Sequence, residues 1–175
     1  ESTCGLSAGD SLTLYDLICG LLLQSGNDCA AAIAEHISGS QEAFAELMNT
    51  EAKQLGATGT HFVNPHGLHD ENHYTTTYDL YLMFNEALKD QAFLDIISMN
   101  SYTAKVTSAD GTSYTPTWQA TNYYSAGEAT PPDGIHVYGG KTGTTDQAGN
   151  CVILYEKNTA GEPYISVIMG ASDKP

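Results

Sequence analysis

The chain has 175 residues, 41% of them hydrophobic, so it is long enough to bury one core and is treated as a single domain over 1–175. Its 21 acidic and six basic residues give a net charge of −15, which argues against nucleic acid and anionic lipid as partners. The longest apolar run, near residues 17–23, is far too short to cross a bilayer, so any membrane anchor lies outside this sequence.

The start of the chain has the sequence period of helices. Leucine and isoleucine recur on one face from about Leu14 to Leu23, after a Thr13 and Asp16 pair that has the spacing of a capping box. A second helical pattern covers 30–37. The string Ser25-Gly26-Asn27 is therefore predicted to lie in a short connection between two helices.

Three more helices are predicted before the period changes. They cover about 41–55, a stretch opened by Thr76 with Asp79, and 91–98 after a cap at Asp90. The segment between the first two, 57–74, is rich in Gly, His, Asn and Pro, and we expect a long structured loop around a short strand at 61–63.

From Tyr102 onward the sequence has the period of strands. Polar and apolar residues alternate over 102–107, residues 135–138 are a strand candidate, and 152–157 and 164–169 make a hairpin around 158–161. Residues 108–133 are assigned only to loop with extended segments. Because helices come first and strands last, we predict an α+β fold, with a helical lobe over about 10–100 and a strand-rich part over about 101–175.

The four cysteines do not fix a redox state by their spacing. Cys4, Cys19, Cys29 and Cys151 contain no C-x-x-C pair, so they allow either buried thiols or up to two disulfides, with three possible pairings. Cys19 and Cys29 fall within helical patterns, which favours small buried side chains at both positions.

Four histidines in the long loop raise the alternative of a zinc site. His61, His66, His69 and His73 carry a common zinc ligand, but no H-E-x-x-H spacing is present. We therefore favour packing and hydrogen-bonding roles for them and expect neither a metal nor another cofactor.

Two short strings carry groups that suit acyl transfer. Ser25 supplies a hydroxyl that can pass a proton, and Asn27 supplies an amide that can hold a peptide group. Lys141 offers a cation, and Gly143 leaves room for an extended substrate beside a strand edge. A substrate with a free carboxylate suits this set, because charge-assisted hydrogen bonds contribute about 1.5–3 kcal/mol each.

Four longer stretches resemble the low-molecular-mass penicillin-binding proteins, which are serine-type D-Ala-D-Ala carboxypeptidases. They are LLLQSGNDCA at 21–30, LMN at 47–49 with AKQLG at 52–56, HFVNPHGL at 61–68, and GGKTGTTDQAG at 139–149. The resemblance runs over nearly the whole chain. Serine β-lactamases share the motif logic but have nothing similar to the stretch at 61–68.

This resemblance implies a penicillin-binding, β-lactamase-like fold and an acyl-enzyme hydrolase of bacterial cell-wall peptidoglycan. The implied substrate is a stem peptide that ends in D-Ala-D-Ala, with β-lactams as inhibitors of the intact enzyme. The implied location is extracytoplasmic, in the cell envelope, either secreted or anchored. Among site residues, Ser25 would relay a proton, Asn27 would hold the penultimate amide, and Lys141 would support proton transfer and recognise the terminal carboxylate.

The resemblance also implies roles for the residues that follow Lys141. Thr142 would contact the substrate carboxylate, Gly143 would lie beside the substrate, and the backbone N–H of Thr144 would form half of an oxyanion hole. The other half, with the nucleophilic serine and its partner lysine, belongs to a Ser-x-x-Lys motif.

That motif does not occur in the 175 residues, since no serine stands three positions before any lysine, and Ser25 is followed at that spacing by Asp28. We expect the motif to lie upstream of Glu1, the sheet to be incomplete in this fragment, and the fragment alone to be inactive. The alternative is a non-catalytic relative that binds peptidoglycan.

Overall fold

A computed structural model describes residues 1–173 and has all but one short helix before its strands. The helices are α1 (Leu14–Cys19), continued by a π-helical turn (Gly20–Gln24), α2 (Asn27–Ser38), α3 (Gln41–Gln54), α4 (Thr77–Ala87), α5 (Gln91–Ile97) and α6 (Tyr123–Ala126). The strands are β1 (Ser101–Thr103), β2 (Val106–Thr107), β3 (Ser113–Tyr114), β4 (Thr117–Gln119), β5 (Ile135–Thr145), β6 (Gly149–Asn158) and β7 (Pro163–Ala171). The predicted α+β class is confirmed.

The main sheet is antiparallel, in the order β5-β6-β7. The predicted hairpin is present, because β6 pairs with β7 up to the Lys157–Pro163 register around the turn. Strand β5 is longer than predicted and places Lys141 opposite Ile153 in the middle of the strand. Among residues 1–173, β5 pairs only with β6, so its other edge keeps alternate backbone N–H and C=O groups free of strand partners.

The single strand predicted over 102–107 is wrong. The chain changes sheet there, because β1 pairs with β4 while β2 pairs with β3. At the break, the backbone N–H of Ala104 donates to the carbonyl of Pro116, and the Ala104 side chain is buried. The alternating stretch is therefore divided between two short strands that belong to different sheets.

The strand predicted at 61–63 is reduced to one isolated bridge between His61 and Tyr74. Side chains, instead of a second strand, accept hydrogen bonds from the backbone N–H groups of this segment. The N–H of Phe62 donates to Asn49 Oδ1, and the N–H of Val63 donates to His73 Nδ1. The loop is thus ordered by side-chain hydrogen bonds that periodicity does not reveal.

The first helix begins as predicted and ends differently. Thr13 and Asp16 form the expected capping box. The helix then widens into the π-helical turn, which ends at Ser25. The prediction that Asn27 lies in the connection is wrong, because α2 begins at Asn27 and has Asp28 in its first turn. A carboxylate in a first turn is favoured by the helix dipole, which gives a reason for the earlier start.

One hydrophobic core joins the helices to the small strands. Its buried members include Leu23, Ile33, Ile96 and Trp118, together with three of the cysteines. The side chains of Cys19 and Cys29 are fully buried, as predicted. Within residues 1–173 no helix has both the length and the apolar character needed to cross a membrane.

Removal of the Tyr102 hydroxyl should destabilise this core. Asp16 is buried and its Oδ1 accepts a hydrogen bond of 2.8 Å from Tyr102. Tyr102→Phe leaves that carboxylate short of a donor, so we expect the free energy of unfolding to fall by about 1–3 kcal/mol. Urea denaturation measures the change. Tyr78→Phe, at a tyrosine that is 65% exposed, is the control and should change little. Equal effects of the two variants would contradict the expectation.

Candidate active site

A cleft of about 960 Å³ brings the two predicted strings together. Four parts of its lining carry polar side chains that matter here: the bend at Ser25 and Asn27, strand β5 from Lys141 onward, the loop at 66–69, and the segment 121–124 before and within α6. The chain start, strands β6 and β7 and the turn before β6 complete the lining. All six residues singled out from the sequence lie in this lining.

One hydrogen bond across the cleft joins Lys141 to Ser25. The Lys141 ammonium donates to Ser25 Oγ at 2.8 Å, although the two residues are 116 positions apart. It also donates to the backbone carbonyl of Thr142. The lysine side chain is therefore held between a strand and the bend that ends the π-helical turn.

Lys141 has no ionic partner in the part of the chain that the structure describes. Among residues 1–173, the carboxylate–lysine pair within 4 Å is Lys89 with Glu86, far along the chain from this cleft. Burial lowers the pKa of Lys141 to about 8 from its ordinary value of 10.5. At neutral to mildly basic pH a fraction of the amine is therefore neutral, and such an amine can accept a proton from the hydroxyl it touches.

The backbone of Ser25 is strained in the position that aims its hydroxyl. Ser25 has φ 60° and ψ 37°, and among residues 1–173 it is the one non-glycine residue with positive φ. That left-handed conformation costs an L-residue about 1–2 kcal/mol. Strain of this kind persists where the surrounding structure imposes it, and π-helical turns are common at functional sites.

Asn27 is placed by the start of α2. Its backbone N–H donates to the carbonyl of Ser2 at 2.9 Å, which fixes the first turn. Its side chain lines the cleft, and no hydrogen bond to another described residue engages its amide. The neighbouring Asp28 carboxylate turns the other way and accepts from the backbone N–H groups of Cys4 and Leu6. Asn27 thus keeps a donor and an acceptor for a bound group.

Thr142 and Thr144, on β5, are held by polar neighbours. Thr142 Oγ1 lies 2.7 Å from Thr121 Oγ1, and Thr144 Oγ1 donates to Asn150 Oδ1 at 3.1 Å. Gly143, between them, is exposed, and a Cβ added there would meet nothing within 4 Å. Packing inside the chain therefore gives no reason for glycine at 143, whereas a molecule bound along β5 would occupy the open space.

The preceding glycines are required by packing. A Cβ at Gly139 would overlap the carbonyl of Ile97, and one at Gly140 would overlap the carbonyl of Ile153. These two glycines let β5 lie directly against the end of α5 and against β6. This close packing sets the position of β5, and so of Lys141, at the cleft. Gly143, further along the strand, leaves open space beside it.

The cleft also includes residues to which sequence reasoning assigned no role. His66, Leu68 and His69 line it from the long loop, and Thr121 and Tyr124 line it from the region before and within α6. The resemblance at 61–68 was the available signal for the loop. The segment at 121–124 gave none, since it has no sequence period.

The loop histidines hydrogen-bond to the backbone. His66 Nδ1 accepts from the N–H of Leu68 at 3.2 Å, and His61 Nδ1 lies 2.6 Å from the carbonyl of Asn72. Burial lowers the pKa of His66 and of His73. In residues 1–173 the candidate metal ligands that come within 4.8 Å of one another are Cys4, Asp28 and Cys29, a group without histidine.

Known proteins resemble this chain in sequence and in fold. A sequence profile of the family described as D-alanyl-D-alanine carboxypeptidase, Peptidase S11, matches residues 1–173. The chain is 45% identical over 84 residues to D-alanyl-D-alanine carboxypeptidase DacF of Bacillus subtilis, which covers 48% of this chain and 22% of that protein. It is 32% identical over 181 residues to a D-alanyl-D-alanine carboxypeptidase of Streptomyces sp. strain K15, which covers 99% of this chain and 60% of that protein.

The similarity extends to solved structures. The crystal structure of the Streptomyces K15 DD-transpeptidase, 29% identical, superposes with a TM-score of 0.88 and covers 99% of this chain and 66% of that one. The chain spans less than two thirds of the length of each of these three proteins.

Substitutions at Ser25 should report the backbone strain separately from the hydroxyl. Ser25→Gly and Ser25→Ala both remove the contact with Lys141, but only glycine adopts the left-handed conformation freely. We expect the glycine variant to be the more stable by about 1 kcal/mol in urea denaturation. The same pair of substitutions at Glu51, exposed inside α3, should give the opposite order. A Ser25→Ala variant as stable as Ser25→Gly would contradict a strained bend.

Burial of Lys141 should make stability depend on pH. The folded-state pKa is lowered to about 8, so as the pH rises the folded chain loses this proton before the unfolded chain does. The free energy of unfolding should therefore increase between pH 8 and 10, by about 1–2 kcal/mol relative to Lys141→Met. Below pH 8 the full cost of burying the charge remains.

Urea denaturation of both chains at several pH values gives this difference. Lys53→Met, at an exposed lysine of α3, is the matched control and should follow the wild-type curve. A Lys141→Met curve parallel to wild type over the same range would show that Lys141 titrates normally.

Proposed function

The chain belongs to the D-alanyl-D-alanine carboxypeptidase family, and from that membership we propose that its cleft is the substrate-recognition part of a serine-type D-Ala-D-Ala carboxypeptidase site. The observation that carries this proposal is the 2.8 Å contact between the Lys141 ammonium and Ser25 Oγ, at the edge of an open strand. It joins the two strings that the reaction needs from distant parts of the sequence.

The proposed reaction is acyl transfer followed by hydrolysis. A nucleophilic serine attacks the carbonyl between the last two D-Ala residues, the terminal D-Ala leaves as the amine, and water then releases the shortened peptide from the acyl-enzyme. Ser25 and Lys141 move a proton toward the leaving amine. The lowered pKa of Lys141 supports this role, because its amine exchanges protons near neutral pH.

Substrate binding is proposed along the free edge of β5. A peptide laid beside this strand can pair with its unpaired backbone groups, and Gly143 leaves room for it. Lys141 and Thr142 would take the terminal carboxylate, and Asn27 would hold the penultimate amide. The backbone N–H of Thr144 would contribute to the oxyanion hole.

The charge distribution supports an anionic peptide terminus as the ligand. The chain carries a net charge of −15, so most of its surface repels a carboxylate. Lys141 has no carboxylate within 4 Å among residues 1–173, so its charge stays available in the cleft. We propose that the natural ligand is a peptidoglycan stem peptide at the bacterial cell envelope, and that β-lactams occupy the same cleft in an enzyme with the complete site.

The nucleophile is the part that these 175 residues do not supply. No Ser-x-x-Lys occurs in them, and the residue at that spacing after Ser25 is Asp28. The Asp28 carboxylate accepts hydrogen bonds from the backbone of Cys4, Leu6 and Cys29, so it is committed to structure and not poised as a base for Ser25. We therefore propose that the 175-residue chain binds the peptide terminus without becoming acylated.

Two measurements on the 175-residue chain test this proposal. Diacetyl-L-Lys-D-Ala-D-Ala should bind in the cleft, as followed by NMR chemical-shift changes. Lys141→Ala should weaken binding at least about tenfold, because it removes the charge-assisted bond to the carboxylate. The control variant is Lys89→Ala, at a lysine paired with Glu86 outside the cleft. A fluorescent penicillin should leave no covalent label on the chain.

Either of two results would overturn the assignment. Unchanged affinity in Lys141→Ala would remove the lysine from the binding site. Covalent labelling of the 175-residue chain by the penicillin would show that a nucleophile other than Ser-x-x-Lys is present in it.

A further inference from the structure

We propose that Cys4 and Cys29 form a disulfide that ties the segment before α1 to the helix that begins at Asn27. The two thiols lie directly beneath the Ser25-Gly26-Asn27 bend. The inference rests on packing in that region and is independent of the catalytic proposal.

The sulfur atoms of Cys4 and Cys29 are buried close to each other. Cys29 is fully buried and Cys4 is 8% exposed. Their Sγ atoms lie within 4.8 Å of each other, and the structure has both cysteines as free thiols. A disulfide needs a short approach of the sulfurs from this position, while the two residues are otherwise neighbours in the folded chain.

Two glycines, Gly20 and Gly26, leave the space that the two sulfur atoms occupy. A Cβ at Gly26 would lie 2.5 Å from Cys4 Sγ, and a Cβ at Gly20 would lie 2.7 Å from Cys29 Sγ and 2.8 Å from Cys4 Sγ. Both glycines have ordinary negative φ values, −67° and −61°, which any residue adopts. Glycine is therefore required at 20 and 26 by the space that the sulfurs occupy.

The backbones of the two cysteines are aligned by one carboxylate. Asp28 accepts from the N–H of Cys4 at 2.9 Å, from the N–H of Leu6 at 3.0 Å and from the N–H of Cys29 at 3.0 Å. The indole of Trp118 donates to the carbonyl of Cys4 at 3.4 Å. The pair is thus positioned by bonds that do not depend on the disulfide, which lowers the cost of forming it.

The chemistry needs a disulfide oxidant such as oxidised glutathione. The Cys4 thiolate attacks one sulfur of the oxidant and releases one reduced thiol, and the Cys29 thiolate then displaces the second. The protein loses two protons and two electrons, and the oxidant gains them. The neighbouring thiol of Cys4, together with burial, raises the pKa of Cys29, so exchange is expected to be slow in the closed fold and fast during folding.

Two competing fates for these thiols are less favourable. A metal held by Cys4, Asp28 and Cys29 would have to take carboxylate oxygens that already accept backbone N–H groups. Pairing with Cys151 would require a residue from β6, whose thiol lies 3.7 Å from the carbonyl of Ala148 in its own turn.

The test compares the 175-residue chain refolded with oxidised glutathione and with excess dithiothreitol. After denaturation and alkylation, the oxidised chain should take up two alkyl groups, at Cys19 and Cys151, and a peptide digest should contain a Cys4–Cys29 link. The loop between 4 and 29 is about 25 residues, so the Tm should be roughly 6–12 °C higher in the oxidised chain. Hydrogen exchange at the Asn27 amide, bonded to Ser2, should slow as well.

Matched variants make the result specific. Cys151→Ala should keep the link and the Tm difference, and Cys4→Ala should lose both while folding to the reduced-state Tm. Four alkylated cysteines after oxidation, a link to Cys19 or Cys151, glutathione retained on Cys4, or one zinc ion bound per chain would each overturn the proposal. A correct link without a change in Tm would overturn its stabilising role.

Discussion

A half-buried ammonium group, that of Lys141, organises this cleft, and it has no carboxylate within 4 Å among residues 1–173. Removing Lys141 from water costs free energy, and the structure returns part of it through hydrogen bonds to Ser25 Oγ and to the carbonyl of Thr142. In a chain with 21 acidic residues, a carboxylate partner would be easy to provide. Its absence within 4 Å, among the described residues, leaves the lysine poised to gain stability from an anion that enters the cleft.

Several structural features hold the Lys141 amine in place. The close packing of Gly139 against Ile97 and of Gly140 against β6 sets the position of the strand from which Lys141 projects. On the other side, the π-helical turn and the left-handed backbone of Ser25 direct a hydroxyl toward the amine. Beneath the bend, Gly26 rests on the sulfurs of Cys4 and Cys29. The strained backbone of Ser25 is thus held by the contact with Lys141 above it and by the packing of Gly26 below it.

Helix starts and the tight hairpin turn could be predicted because their signals are local. The Thr13 capping box, the cap at Asp90 and the turn around 158–161 each depend on residues a few positions apart, and all are present. The strand predicted at 61–63 failed because Asn49 and His73 satisfy its backbone from other elements. Periodicity carries no information about partners of that kind.

That the six selected residues line one cleft could be expected from the sequence, whereas the geometry of the candidate site could not. The strings around Ser25 and Lys141 could be chosen from the sequence, yet the two residues that touch are 116 positions apart, and their contact depends on the tertiary fold. The start of α2 at Asn27 was missed because Asn and Asp are common in turns as well as in first helical turns. Thr121, which meets Thr142, had no signal at all.

The titration of the Lys141 amine itself, followed by NMR of side-chain-labelled lysine with and without a D-Ala-D-Ala peptide, tests this account most directly. The account predicts a pKa of about 8 in the free chain and a higher value when the carboxylate of the peptide is bound. An ordinary pKa near 10.5 that does not respond to the peptide would contradict it.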